Sequence, residues 1–154
     1  MNASAADCVM DASVGIKLYL EETLTDQAHA LLARLSSHPP AQFFVPDLFY
    51  IECTNILWKY VTRFGMTQDD ATYYIARLGD LALHSTPTAD LMADALTIAL
   101  AYKITAYDAA YVALAKVLQL PLITADRKLV QALAGTGHRV LWLGDYPFPS
   151  TPVR

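Results

Sequence analysis

Five short apolar runs, at residues 7–11, 43–45, 81–85, 120–124 and 139–143, punctuate this chain, and helical periodicity fills the stretches between them. Strands that alternate with helices cannot form hairpins; each must return to the same edge of a sheet, so neighbours run parallel and the helices cover both faces. The expected fold is therefore α/β, with three layers (α/β/α) around a central, mainly parallel sheet of about five strands. At 154 residues the chain fits one domain, here residues 1–146. The Pro-rich tail 147–154 is expected as an extended strap on the surface.

Local signals place the helices. From residue 25 the apolar positions Ala28, Leu31, Leu32 and Leu35 recur at helical spacing, with Thr25 and Asp26 as capping candidates. Asp47 is placed to cap a long helix running to about Arg63, where Phe64 and Gly65 stop it. Thr67 opens the next, with Asp69 and Asp70 in its first turn; further helices are expected over 88–102, from Thr105 onward, and over 126–134. For the aromatic residues Trp58, Tyr60, Phe64, Tyr73 and Tyr74 a core role is expected for several, with contact to a partner chain as the alternative. Asp7, Glu21, Glu22, Asp26, Asp80, Asp90, Asp94 and Asp145 stand in polar contexts and read as solvated charges.

Hydrophobic residues make up 55% of the chain, which excludes intrinsic disorder, yet no uncharged run approaches the roughly 18 residues of a membrane span. The first residues lack the basic and apolar regions of a secretory signal, and Cys8 and Cys53 lie in apolar segments without metal-ligand spacing. Together these suggest a cytoplasmic protein with two buried thiols. The balance of 11 basic to 15 acidic side chains argues at first against nucleic acid. The placement of the acids changes that.

Glu52 sits within Leu-Phe-Tyr-Ile-Glu-Cys-Thr-Asn-Ile-Leu-Trp. A carboxylate buried there costs several kcal/mol unless it is paired, protonated or bound to a metal. Ligands of open α/β sheets bind beyond the carboxyl ends of the strands. Asp11 ends the first run, Asp126 follows the fourth, and Asp108 begins a helix. Each of these three is also a reasonable helix N-cap, and Glu52 could instead pair with a buried cation. Taken jointly, two unit charges about 4 Å apart repel by about 4 kcal/mol at an effective dielectric of 20, so four clustered carboxylates call for a divalent cation. All-oxygen ligands favour Mg²⁺ or Mn²⁺, and none of the four His has zinc-site spacing. Such a site suits phosphodiester hydrolysis. Ser13, Thr124 and Asn55 are candidate supports; Lys17, Arg127 and Lys128 are candidate contacts to a nucleic-acid backbone; His84 is read as structural.

The motifs Val9-Met-Asp11-Ala-Ser13, Pro46-Asp-Leu-Phe-Tyr-Ile-Glu52-Cys-Thr-Asn55, Tyr107-Asp108-Ala-Ala-Tyr-Val-Ala-Leu-Ala115 and Leu122-Ile-Thr-Ala-Asp126-Arg-Lys-Leu resemble, in order, those of PIN-domain ribonucleases. The toxins of VapBC-type toxin–antitoxin pairs are the most similar members. The resemblance spans about residues 7–143. It implies that Asp11, Glu52, Asp108 and Asp126 coordinate Mg²⁺ or Mn²⁺ for RNA cleavage, with the hydroxyls at Ser13 or Thr124 in support. It further implies a homodimer and a small antitoxin protein that covers the groove. Where many members carry a further acid after the last Asp, this chain has Arg127 and Lys128. Two rival classes that also place an Asp at a strand end fit worse. A haloacid-dehalogenase phosphatase needs a second Asp where Ser13 stands, and a receiver domain needs paired early acids and a late strand-end Lys. A PIN-fold scaffold without activity would gain nothing from clustered negative charge.

Overall fold

The computed structural model describes residues 7–149. Met1–Ala6, where a signal sequence was sought, and 150–154, the end of the expected strap, lie outside them.

Five strands form one sheet: β1 (Cys8–Met10), β2 (Phe43–Pro46), β3 (Leu83–Thr86), β4 (Leu122–Thr124) and β5 (Val140–Trp142). Their order is β3-β2-β1-β4-β5 and every pairing is parallel, as the alternating pattern requires. Seven α-helices accompany the strands among the described residues: α1 (Ala12–Gly15), α2 (Thr25–Leu32), α3 (Leu48–Arg63), α4 (Gln68–Gly79), α5 (Met92–Tyr102), α6 (Ala106–Leu118) and α7 (Arg127–Leu133). None of them is long and apolar enough to cross a membrane.

The strand order reverses at β1. The first three strands build outward to one side, and β4 and β5 then join on the other. Such a switch point opens a crevice at the carboxyl ends of the two diverging strands. Here those strands are β1 and β4, joined through Val9 to Leu122 and Met10 to Ile123. Asp11 directly follows β1, and Asp126 follows β4 after Ala125.

Small side chains bring the layers close. Residues 109–115 of α6 are all buried, and four of these seven are alanines, so the helix lies flat against the sheet and α5. On the opposite face α1 packs on α3, where Gly15 meets Phe49. A Cβ at Gly15 would stand 2.7 Å from Phe49 Cζ, so only glycine admits this approach.

Several local expectations are corrected. Asp47 does not cap α3: its carboxylate accepts from the backbone N–H and hydroxyl of Thr88, fastening the start of α3 to the turn before α5. Thr25 lies inside α2 and donates to the Leu20 carbonyl, while Leu24, with φ 69°, occupies the cap position. Asp7 accepts from the Gln42 N–H, and Glu22 is an ion-pair partner, so neither is merely solvated. Trp58, Phe64 and Tyr73 are 53%, 70% and 58% exposed. Tyr60 and Tyr74 do pack on the core, Tyr74 stacked on Tyr19. Helix α3 is apolar on more than one side, so periodicity alone could not assign its buried face. Cys8 and Cys53 are free and buried, as expected. The expected caps Thr67 and Thr105 accept from Asp70 N–H and Asp108 N–H.

Candidate active site

The centre of the carboxyl edge is Asp11, 6% exposed and immediately after β1. One of its oxygens, Oδ2, accepts from Ser13 Oγ at 2.7 Å and from Thr124 Oγ1 at 2.8 Å. A hydroxyl has one proton, and both are spent on Asp11. Their lone pairs are used as well: Ser13 Oγ accepts from Ala125 N–H and Thr124 Oγ1 from Asp126 N–H, each at 3.1 Å. The β4–α7 turn is thereby tied through two hydroxyls to the β1 carboxylate. Burial raises the Asp11 carboxyl from its ordinary range, the two hydroxyls pull it down, and the charge on Asp126 raises it again.

Glu52 projects from the second turn of α3. Burial, then the charges of Asp11 and Asp108, push its carboxyl up to about 7, while Tyr111 tempers the rise. Its Oε1 is buried without a hydrogen-bond partner, and so is the neighbouring Tyr111 hydroxyl. Asp108 is pushed up to about 6 by burial and by Asp11 and Asp126; the hydroxyl of Thr105 works the other way. Its N–H, not its carboxylate, takes part in the cap of α6. Asp126 does cap its helix, accepting from Lys128 N–H at 2.9 Å. Of the three N-cap alternatives, then, only Asp126 caps through its side chain; Asp11 stands at the N-cap position of α1 without such a bond, and the cap of α6 is Thr105. Glu52 has no buried cation beside it; the ion pair among the described residues is Lys17 with Glu22.

The four acids are thus within electrostatic reach of one another, from four separate elements. They do not close on a single point: among the described residues no three His, Cys, Asp or Glu side chains form a ready-made cation cage. Mutual repulsion spreads carboxylates that nothing neutralises. An orphaned, buried oxygen on Glu52 beside two further raised or buried carboxyls fits a hard cation such as Mg²⁺ or Mn²⁺, whose ligands are oxygens and which retains water.

The remaining candidates separate. Asn55 lies on the same helix as Glu52 and lines an open groove of about 800 Å³ with Ile51, Glu52, Trp58, Lys59 and Tyr107. A smaller cavity of about 260 Å³ lies at the other end of α6, contains no carboxylate, and is remote from this chemistry. Lys17 is a correction: its ammonium is buried and bound to Glu22 Oε1 at 2.7 Å, with Glu22 Oε2 held by the Tyr60 hydroxyl, so it offers no free charge to a substrate. Arg127 and Lys128 are exposed in the first turn of α7, and Arg127 stacks on Trp142. His84 stacks on Phe44 at the sheet margin, a structural position. Tyr111 and Trp142 went unnoticed in the sequence. Tyr111 follows Asp108 at i+3, which places it on the same helix face, a signal that was available.

Thr124 offers a direct check on this network. Its side chain is fully buried, and Thr124→Val keeps the volume while removing the donor to Asp11 and the acceptor for Asp126 N–H. The expected cost is roughly 1–3 kcal/mol, read as a lower Tm. A Tm equal to wild type would show that the hydroxyl carries no load.

Comparison with known proteins places this arrangement. The family model described as "PIN domain" matches residues 8–134. The chain is 34% identical over 125 residues to Ribonuclease VapC3 of Pyrobaculum aerophilum, covering 80% of this chain and 92% of that protein. Among solved structures, one from Pyrobaculum aerophilum superposes with a TM-score of 0.63 at 22% identity, covering 93% of each chain. A toxin-antitoxin complex from Klebsiella pneumoniae gives 0.61 at 19% identity, over 88% of this chain and 96% of the other. FitAcB from Neisseria gonorrhoeae gives 0.59 at 16%, over 87% and 96%. These three show a shared fold.

Proposed function

The chain belongs to the PIN-domain family, and from that membership we propose that it is a metal-dependent endoribonuclease, the toxin of a type II toxin–antitoxin pair. The observation that carries this reading is the half-buried carboxylate of Glu52, whose Oε1 has no hydrogen-bond partner and which feels the charges of Asp11 and Asp108. A structural role would have supplied it with a partner. Asp11, Glu52, Asp108 and Asp126 would hold Mg²⁺ or Mn²⁺; when bound, such an ion supplies an activated water at neutral pH and positive charge against the phosphate. Ser13 and Thr124 fix the orientation of Asp11, and Asn55 faces the groove through which RNA would enter. The free thiols suit a reducing cytoplasm. Exposed apolar side chains at Ile51, Trp58 and Tyr107, and at Met92, Leu96 and Leu100, support contacts with a second copy and a small antitoxin. RNA cleavage by purified protein tests the activity: cleavage with Mg²⁺ or Mn²⁺ and none with EDTA is expected, and metal-independent cleavage would overturn the proposal. Growth arrest on expression, relieved by a co-expressed small neighbouring gene, tests the toxin role.

The raised carboxyls predict a pH dependence of stability. An acid whose pKa is higher folded than unfolded costs nothing while protonated and destabilises progressively as pH rises from the unfolded to the folded value. For Glu52 that window is 4.5 to about 7, and for Asp108 it is 3.8 to about 6. The contribution of these two groups to the metal-free protein is therefore more favourable at pH 5 than at pH 8. Added Mg²⁺ relieves the penalty only where the acids are ionised. The Mg²⁺-induced rise in Tm is expected to be larger at pH 8 than at pH 5; equal rises would contradict the assignment.

A further inference from the structure

At the end of β5, one strand away from Thr124 in the sheet register, stands Trp142. The ring of Trp142 lies so close over Gly144 that a Cβ there would be 2.3 Å from it. On the ring rests Arg127, its guanidinium carbon 3.9 Å from the ring centroid. Arg127 immediately follows Asp126, and Thr124 bonds to Asp11, so the pair borders the carboxylates at the same sheet edge.

Three features set this pair apart from an ordinary surface arginine. Arg127 is in no ion pair among the described residues, where the pair is Lys17 with Glu22. Its guanidinium carbon lies 3.9 Å from the ring centroid, and a guanidinium stacked on an aromatic face keeps its in-plane N–H groups for a phosphate, which it can bind bidentately. The indole Nε1–H is buried without an acceptor, a cost that a phenyl ring would not carry. A tryptophan, the best of the aromatic faces for a cation, is kept despite that cost.

We infer that Arg127, held on Trp142 over Gly144, is a phosphate clamp that binds a backbone phosphodiester of the RNA strand beside the bond that is cut. The clamp rests on the ribonuclease reading above. Holding the fork in advance reduces the rotamer entropy lost on binding, so the aromatic platform contributes to affinity without touching the substrate. Trp142 is accordingly a positioning residue. The opposing account is a strut that ties α7 to β5 and ignores RNA.

The test is binding of a fluorescent single-stranded RNA to the full chain in EDTA, which removes cleavage, followed by anisotropy across a salt series, with Tm recorded for every variant. Arg127→Gln is expected to weaken binding about tenfold and to reduce the slope of log K against log salt by about 0.7, one phosphate contact on a single strand. Trp142→Leu keeps every charge yet is expected to weaken binding roughly 3–30-fold, the range of a cation–aromatic contact, and Trp142→Phe to recover most of it. Arg127→Lys, equally charged, is expected to bind more weakly than wild type. If Trp142→Leu does not fold, Trp142→Phe and Arg127→Lys still decide. Wild-type affinity in Arg127→Gln, or in both Arg127→Lys and Trp142→Leu, with only a lowered Tm, establishes the strut and overturns the clamp alone. A wild-type chain that binds no RNA in EDTA yet cleaves it with Mg²⁺ or Mn²⁺ overturns the clamp alone; one that neither binds nor cleaves overturns the ribonuclease reading and the clamp with it.

Discussion

Glu52→Gln is expected to lower RNA cleavage by roughly 10²–10³-fold while raising the Tm of the metal-free protein at pH 7.5. The loss follows from removing one negative ligand: several kcal/mol of transition-state stabilisation depend on the ion the carboxylates hold, and each 1.36 kcal/mol is tenfold in rate. The gain follows from the same group. Its carboxyl is pushed up to about 7 by burial and by the neighbouring charges of Asp11 and Asp108, so the ionised form is a burden on the metal-free fold. Glutamine keeps the shape without the charge. Because the side chain is only half-buried, solvent screening limits the gain to about 1 kcal/mol. Opposite signs in activity and stability are the signature of a functional group kept at a structural cost. Asp108→Asn is expected to behave alike, for the same reasons. A fall in Tm with either amide would mean that the carboxylate has a structural partner, and the site assignment would fail.

Phe49→Ala is expected to cost 3–5 kcal/mol, a large share of the roughly 5–15 kcal/mol that holds such a domain together. Phe49 is fully buried, meets Tyr50 edge-on at 5.3 Å, and fills the space that Gly15 leaves open. Removing the ring leaves a void between α1 and α3 that neither backbone can close without moving the segment just after Asp11. At roughly 2–4 °C per kcal/mol for a chain of this size, Tm should fall by about 6–20 °C. Thermal unfolding by circular dichroism reads this directly. A fall below about 5 °C would indicate that the two helices collapse freely onto one another, and that their spacing is not fixed by this contact.

Much of this architecture could be read from residues in order. The five strands lie where the apolar runs place them: β2 is one residue longer and the other four one or two residues shorter, as where the run 120–124 includes Pro121, which cannot donate to a ladder. Asp11 and Asp126 were visible as acids at strand ends, and Glu52 as a charge in an apolar helix. What escaped depended on where the chain doubles back. Lys17 looks free in sequence, but the turn after α1 folds Glu22 onto it and α3 brings Tyr60 to the same carboxylate. Asp47 has the local form of a cap and spends it on Thr88, 41 residues away. Arg127 and Trp142 meet only because β5 lies beside β4, an order no local pattern encodes.

The order β3-β2-β1-β4-β5 also bears on synthesis. Of the five strands the central β1 is made first, yet its second neighbour β4 comes fourth, and Asp11 is separated from Thr124 by 113 residues. At roughly 5–20 residues per second, some 5–20 s pass on the ribosome before the hydroxyl that orients Asp11 exists. A nascent chain carries Asp11 and Glu52 well before Asp108 and Asp126 are made. A chain interrupted at any point before β4 cannot assemble the four-carboxylate edge, so any activity that depends on that edge waits until the chain is made through Asp126.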